Sequence, residues 1–341
     1  MDLLKKRAHP PAARMGPLID RQPTIGYTRT FCDEPLFANV CRVLWPRAKK
    51  MRPRSDIVFR RGLVPAFTDR ITMTPTRPDP RKLPTDWTNV ADWYDQLVGG
   101  TGSEFHRNVV LPGVLKLMGD VRGKKVLDVA CGQGVLCRLL AESGAQVTGV
   151  DSAEPLIHMA RQRDAGSSVR YLVGDARDLD YLPAGEFDMA ACVLSIQNIH
   201  PIQGVFDTVS RRLKDRGSMV IVMMHPCFRG AKESSWGWDQ EHSVQFRRVD
   251  RYMIPRKSPI VASPGKKDGT YTWTFHKPIE DYVKSCRKAG LLIDALEEWC
   301  SHKMSDSGPR APAENLARKE IPMFMAIRAV KIGDVAHPQS V

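Results

Sequence analysis

The sequence predicts an α/β fold: a seven-stranded, mostly parallel sheet with helices on both faces and an antiparallel last strand. Three observations carry that prediction. From residue 86 onward, short apolar runs alternate with helical patterns. Most of those runs lack polar alternation, as strands covered on both faces do. The last two strands are joined by a polar segment with no helical pattern of its own, whereas parallel neighbours need a long crossover, usually a helix.

The elements follow in order. Residues 86–98 read as a helix. Residues 108–118 read as a second, interrupted near Pro112, which lacks an N–H. Strands are expected at 126–130, 146–151, 169–174, 187–194 and 219–224. Helices are expected at 135–143, 154–163 and 205–213. Residues 225–276 break the rhythm as a polar, basic insertion carrying Trp236, Trp238, Tyr252, Tyr271, Trp273 and Phe275. A helix at 279–289 follows, with Pro278 at its opening and Gly290 placed to end it. Strands at 291–299 and 323–330 close the chain.

Two parts are expected. Residues 86–335 form the domain. Residues 1–85 form a Pro/Arg-rich extension, poorly ordered, with room for short helices around 34–44. The net charge of +13 is concentrated in that extension: residues 1–85 hold 18 Lys and Arg against 7 Asp and Glu, a balance of +11, and the rest of the chain carries +2. A basic tail can bind polyanions, so nucleic acid is a candidate partner through the extension alone. A solvated tail is the simpler reading, and translation starting at Met51 or Met73 is a third. No apolar run approaches the roughly 18 residues a membrane span needs, and the opening MDLLKKRAHPPAAR lacks the apolar core of a secretory signal. The eight cysteines form no C-x-x-C pair. A reducing, cytoplasmic setting without a structural metal is the expectation.

The chemistry is carried by KVLDVACGQGVLCRLLAESGAQVTGV and the following Asp151. This is a strand, a glycine turn, a helix, a second strand and an acid. Gly132 and Gly134 allow a sharp turn and close approach of a ligand. Asp151, 19 residues beyond Gly132, stands where an acid accepts hydrogen bonds from both hydroxyls of a ribose. A nicotinamide-dinucleotide domain shares this outline, but its third glycine would fall on Cys137. Asp128, at the strand end before the turn, would oppose a pyrophosphate and suit an ammonium.

With D-x-A-C-G-x-G at Asp128–Gly134, the acid at Asp151, VGDARDL around Asp175, and EFDMAACVLSIQNI entering a fourth strand, the chain resembles the class I S-adenosylmethionine (SAM)-dependent methyltransferases. The likeness spans about residues 86–330. It implies a Rossmann-like sheet and SAM as cofactor. It further implies that Ala130, Gly132 and Gly134 lie under the methionyl group, that Asp128 orients its amino group and that Asp151 binds the ribose. Asp175 and Ala176 would bracket the adenine. Ser195 and Gln197 would line the point where donor and acceptor meet, and Tyr94 would cover the methionyl end. Simpler roles stand beside these: Asp151 as a helix cap, Asp175 as a turn residue, Tyr94 as helix packing.

A phenol, hydroxyl or acidic carbon acceptor also needs a base, and histidine is the usual one near neutral pH. His200 and His225 follow strands whose carboxyl ends border the crevice; His106 belongs to the N-terminal cover. The segment SIQNIHP is not the Asn/Asp-Pro-Pro-Tyr/Phe motif of methylases acting on base amino groups. A small-molecule acceptor is therefore favoured. Trp236, Trp238 and Trp273 either wall a pocket for a planar acceptor such as a phenol or quinone precursor, or form the insertion's own small core. Competing readings are an RNA or protein methyltransferase recruited by the basic extension, a nicotinamide-dependent oxidoreductase, and a non-catalytic SAM-binding protein.

Overall fold

The computed structural model describes residues 87–164, 166, 169–230, 233–262 and 271–333. The extension 1–85, with its expected short helices, lies outside the described residues.

A 3-10 turn at Thr88–Val90 leads into α1 (Ala91–Val98). The interruption expected near Pro112 takes a specific form. A wide π turn at His106–Val110 precedes α2 (Leu111–Met118), with Pro112 in the first turn of α2. Proline cannot donate to the carbonyl one turn earlier, and widening that turn accommodates it.

Strand and helix then alternate: β1 (Lys125–Val129), α3 (Val135–Glu142), β2 (Gln146–Asp151), α4 (Glu154–Arg163), β3 (Arg170–Val173), β4 (Phe187–Val193), α5 (Gln203–Arg212) and β5 (Leu213–Met224). β5 starts earlier than the sequence suggests. Leu213 pairs with Phe187 and Ser218 with Met189, so residues 214–217 form a bulge inside the strand.

Two hairpins fill the insertion: β6 (Ser234–Asp239) with β7 (Val244–Val249), and β8 (Arg256–Val261) with β9 (Tyr271–His276). The chain closes with α6 (Ile279–Lys288), β10 (Leu291–Trp299), α7 (Ala311–Glu320) and β11 (Phe324–Lys331). α7 corrects the expectation that no helix joins the last two strands. Its composition is helix-forming, but Ala317 is its one buried residue, so it shows no apolar stripe to be read.

The seven strands lie in the order β10-β11-β5-β4-β1-β2-β3. β11 runs antiparallel to both neighbours, as expected, and the other described pairings in this sheet are parallel. Alternate residues of β1 feed two cores. Leu127 and Val129 pack with Phe206 and Val209 of α5 and Tyr282 of α6. Val126 packs with Val114 of α2, Leu140 of α3 and Ile157 of α4. Asp128 shares the Val126 face. The chain builds outward from β1 to β3, then returns to β4 on the other side of β1. That reversal makes the carboxyl ends of β1 and β4 a topological switch point, the usual ligand position in such sheets.

Candidate active site

Both central strands end in a left-handed residue, Ala130 with φ 56° and Leu194 with φ 55°. Left-handed backbone is unfavourable for residues other than glycine and concentrates at ligand sites. Gly132 (φ 56°) and Gly134 (φ 78°) continue the turn. Asp151, at the end of β2, braces it: Oδ2 accepts the Gly132 N–H at 2.8 Å, and Oδ1 accepts the Ala153 N–H at 2.9 Å. Asp151 therefore braces the glycine loop and the turn before α4, while α4 itself has no side-chain cap. Two lone-pair positions remain on the carboxylate for further donors. Burial raises the Asp151 pKa, against the pull of its backbone N–H bonds.

Gly134 is needed for packing. A Cβ there would lie 2.5 Å from the Tyr171 hydroxyl. Gly132 instead faces Tyr94, whose ring edge would be 3.4 Å from a Cβ.

Asp128 is 2% exposed. Cys137 of α3 donates its S–H to Asp128 Oδ2 at 3.1 Å. Burial pushes this carboxyl up to about 7, opposed by the Cys137 hydrogen bond and reinforced by the Asp151 charge. A carboxylate desolvated to this degree with one weak donor is poised for a cation.

Above the loop, Tyr94 is held edge-on by Trp87, with ring centroids 5.4 Å apart. Burial, then the Asp151 and Asp128 charges, hold its phenol protonated. Three long-range contacts fasten this cover, and sequence reading missed all of them. Gln133 Nε2 donates to the Gly99 carbonyl at 2.9 Å. Arg138 donates to the Gly100 carbonyl at 2.6 Å and the Gln133 carbonyl at 2.8 Å. Arg163 of α4 forks onto the Asp95 carboxylate, its Nη2 2.7 Å from Oδ2. These partners lie 34, 38 and 68 residues apart, beyond any local pattern.

Asp175 accepts the Arg177 N–H at 2.8 Å and the Arg177 guanidinium at 2.6 Å. Burial alone would raise its pKa, but the Arg177 bonds bring it below the usual range. It is a turn residue as well as a charge just past the end of β3. Ala176 is buried in the core. After β4, Ser195 Oγ lies 3.2 Å from Cys192 Sγ, and Gln197 Nε2 donates to the Leu194 carbonyl at 2.7 Å. Gln197 Oε1 is buried without a hydrogen-bond partner.

The three histidines are placed differently. His225 is 1% exposed. Its Nε2 lies 2.6 Å from Glu298 Oε1, and its Nδ1 accepts the Cys227 N–H at 3.2 Å. With both nitrogens engaged, it joins the end of β5 to β10. His106 is buried, with Nδ1 2.7 Å from Ser103 Oγ. Burial, then Arg107, pull its pKa down to about 4, so the ring is neutral. His200 stacks on Phe275, with centroids 5.1 Å apart, and its Nδ1 is buried without a partner.

The tryptophans do not share one wall by sequence position. Trp236 and Trp238 belong to β6, whose partner β7 packs on α7; Trp273 belongs to β9, which packs on the turn Ile196–Asn198. Each has its own cation over the ring: Arg229 and Arg247 at Trp236 (5.3 and 5.0 Å), Arg310 at Trp238 (4.7 Å) and Lys257 at Trp273 (3.9 Å).

A methyltransferase-domain family model matches residues 127–221, the span from β1 to β5 that contains this switch point. The ubiquinone biosynthesis O-methyltransferase of Thiobacillus denitrificans is 36% identical over 177 residues, which cover 51% of this chain and 67% of that protein. The protein of the same name from Bordetella avium is 31% identical over 109 residues, 31% of this chain. The chain spans 45% of the Bordetella protein's length. An S-adenosylmethionine-dependent methyltransferase from Mesorhizobium loti shares the fold, with a TM-score of 0.52 and 24% identity over 64% of this chain and 96% of that one. The chain therefore belongs to the SAM-dependent methyltransferase family.

Proposed function

We propose that this protein transfers a methyl group from SAM to an oxygen of a small-molecule acceptor. The observation that carries the reading is Asp128: a desolvated carboxylate at the sheet's switch point, beside a left-handed glycine turn and under a phenol. This donor set suits SAM. Asp128 offers the amino group a buried counter-charge, Asp151 has lone pairs left for the ribose hydroxyls, and Ala130, Gly132 and Gly134 bring the backbone close. Asp175 and Ala176 border the adenine end. When bound, SAM supplies an electrophilic methyl group on a positive sulfur.

The chain's own contribution is alignment and enclosure. Holding donor and nucleophile in line can remove roughly 7–11 kcal/mol of barrier. Tyr94, fastened by the Gln133, Arg138 and Arg163 contacts, covers the methionyl end and excludes water. Ser195 and Gln197 line the wall beside the nucleophile. Of the histidines, neutral His106 is the acceptor for the nucleophile's proton. The ubiquinone-biosynthesis relatives support an oxygen acceptor.

The test is incubation of the full chain with methyl-labelled SAM and a cell extract fractionated into small molecules, RNA and protein. The expected result is label among the small molecules. Label confined to RNA or protein would overturn the acceptor class, and failure of S-adenosylhomocysteine (SAH) and SAM to bind in calorimetry would overturn the whole reading.

A further inference from the structure

The hairpin β8–β9 presents Trp273 and Phe275 on one face, since alternate strand residues share a side. Lys257 is the register partner of Phe275 and therefore stands on the same face. Its ammonium lies 3.9 Å from the Trp273 ring centre and 5.9 Å from that of Phe275. Lys277, just past the end of β9, brings its own ammonium within 5.2 Å of the Phe275 centre. His200 stacks on this ring from the turn that follows β4. Arg177 reaches the same place by donating to the His200 carbonyl at 2.8 Å, but its charge is answered by Asp175.

Lys277 is the anomaly. It is 8% exposed, and its ammonium has no hydrogen-bond partner. Burial brings its pKa down to about 8, and the carboxylate acting against that is Asp281 of α6. His200 is similarly held low, by burial and then by the charges of Lys277, Arg177 and Lys257. A buried ammonium facing an aromatic ring recovers part of its lost hydration, but an unpaired buried charge remains unfavourable. Two cations without a carboxylate partner, Lys257 and Lys277, and a buried imidazole nitrogen without a partner gather around one ring and are complementary to an anion.

The location ties this cluster to the switch point. β9 packs against both the 3-10 turn of the N-terminal cover and the turn Ile196–Asn198. Thr274 donates from β9 to the Gln197 carbonyl at 3.4 Å. β9 therefore lies against the segment after β4, with Thr274 meeting Gln197 from one face of the strand and Phe275 meeting His200 from the other.

We propose that Lys277, Lys257 and His200 form an anion-binding end of the acceptor pocket, which takes a carboxylate borne by the methyl acceptor. The acceptor assignment rests on the methyltransferase reading; the anion site itself does not.

The probes are 4-hydroxybenzoate, its neutral amide 4-hydroxybenzamide, and inorganic phosphate, titrated into the full chain with and without SAH. The carboxylate is expected to bind at least tenfold more tightly than the amide and to outcompete phosphate. Lys277→Met should reduce that preference to within twofold, Lys277→Arg should keep most of it, and Lys257→Met should weaken it. SAH affinity should stay within twofold in all three variants. The melting temperature of Lys277→Met should be equal to or above that of the parent, because an unpaired buried charge is removed.

No preference for the carboxylate, or a preference that survives Lys277→Met, would overturn the proposal. A lowered melting temperature would make Lys277 a structural residue instead. A tenfold loss of SAH affinity in Lys277→Met would assign the anion to the cofactor's own carboxylate. Phosphate binding as tightly as the carboxylate would point to a free anion. If the parent binds no SAH, the methyltransferase reading fails, while the titration without SAH still decides the anion site.

Discussion

Replacing Asp128 with Asn removes a charge and keeps the shape, and its effect can be worked out from the burial of this one side chain. The carboxyl titrates near 3.8 in the unfolded chain and near 7 in the fold. Between those values the folded protein holds more protons, so this group's contribution to stability is present at low pH and is lost as pH rises through 7. At 1.36 kcal/mol per unit, the shifted Asp128 carboxyl destabilises the ligand-free protein by up to about 4 kcal/mol at pH 8, where it is ionised in the fold, and by about 1.6 kcal/mol at pH 5, where it is protonated in the fold and ionised in the unfolded chain. Asp128→Asn should therefore stabilise the ligand-free protein more at pH 8 than at pH 5. For a domain of this size that is on the order of 10 °C in melting temperature at the higher pH. The same substitution should weaken SAM binding at least tenfold, about 1.4 kcal/mol, because the buried counter-charge is gone. The assays are thermal melts across pH 5–8 and calorimetric titration with SAM and SAH. A variant less stable than the parent at pH 8, or one that binds SAM with unchanged affinity, would refute the reasoning.

Asp151→Ala should weaken SAM binding at least tenfold and also cost about 1–3 kcal/mol in urea unfolding, because the Gly132 and Ala153 N–H groups lose their acceptor. His106 gives a pH dependence of opposite sign to Asp128. Its folded pKa near 4 lies below the unfolded 6.5, so stability falls as pH drops through that window, by up to about 3 kcal/mol; His106→Asn should flatten that slope in melts from pH 7 to pH 4. Gly134→Ala should destabilise by about 1–3 kcal/mol through its φ of 78° and the Tyr171 contact, and Tyr171→Phe should rescue part of the loss in a double-mutant cycle. His225→Gln should lower the melting temperature while leaving SAH affinity within twofold, and a tenfold loss of affinity would return His225 to the site.

The order of strands and helices from β1 to β5 was legible because each is a local pattern. A buried parallel strand writes a short apolar run, an amphipathic helix a 3.6-residue stripe, and the chemistry of the glycine turn sits within seven consecutive residues, Asp128–Gly134. The antiparallel last strand was reached from a premise the structure overturns, because α7 does join β10 to β11. α7 escaped because a helix lying on the surface has little to bury, and its Ala, Glu and Lys residues read as polar loop. β6 to β9 escaped for a similar reason: their residues are mostly half-buried and show no clean alternation.

By itself the sequence determined the strands and helices from β1 to β5 and put Asp128, Asp151 and the glycine turn at strand ends; the strand order, and with it the switch point, came from the fold. The tertiary structure decided what each polar side chain meets. His106, His200 and His225 look equivalent along the chain, but only the fold gives His225 the Glu298 carboxylate, 73 residues away, and leaves His200 against Phe275. Lys277 drew no notice in a basic stretch, because burial without a partner is a property of the packed chain. Hydrogen bonding and desolvation depend on neighbours brought together across dozens of residues, and those neighbours turn a side chain of given chemistry into a brace, a base or a binding group.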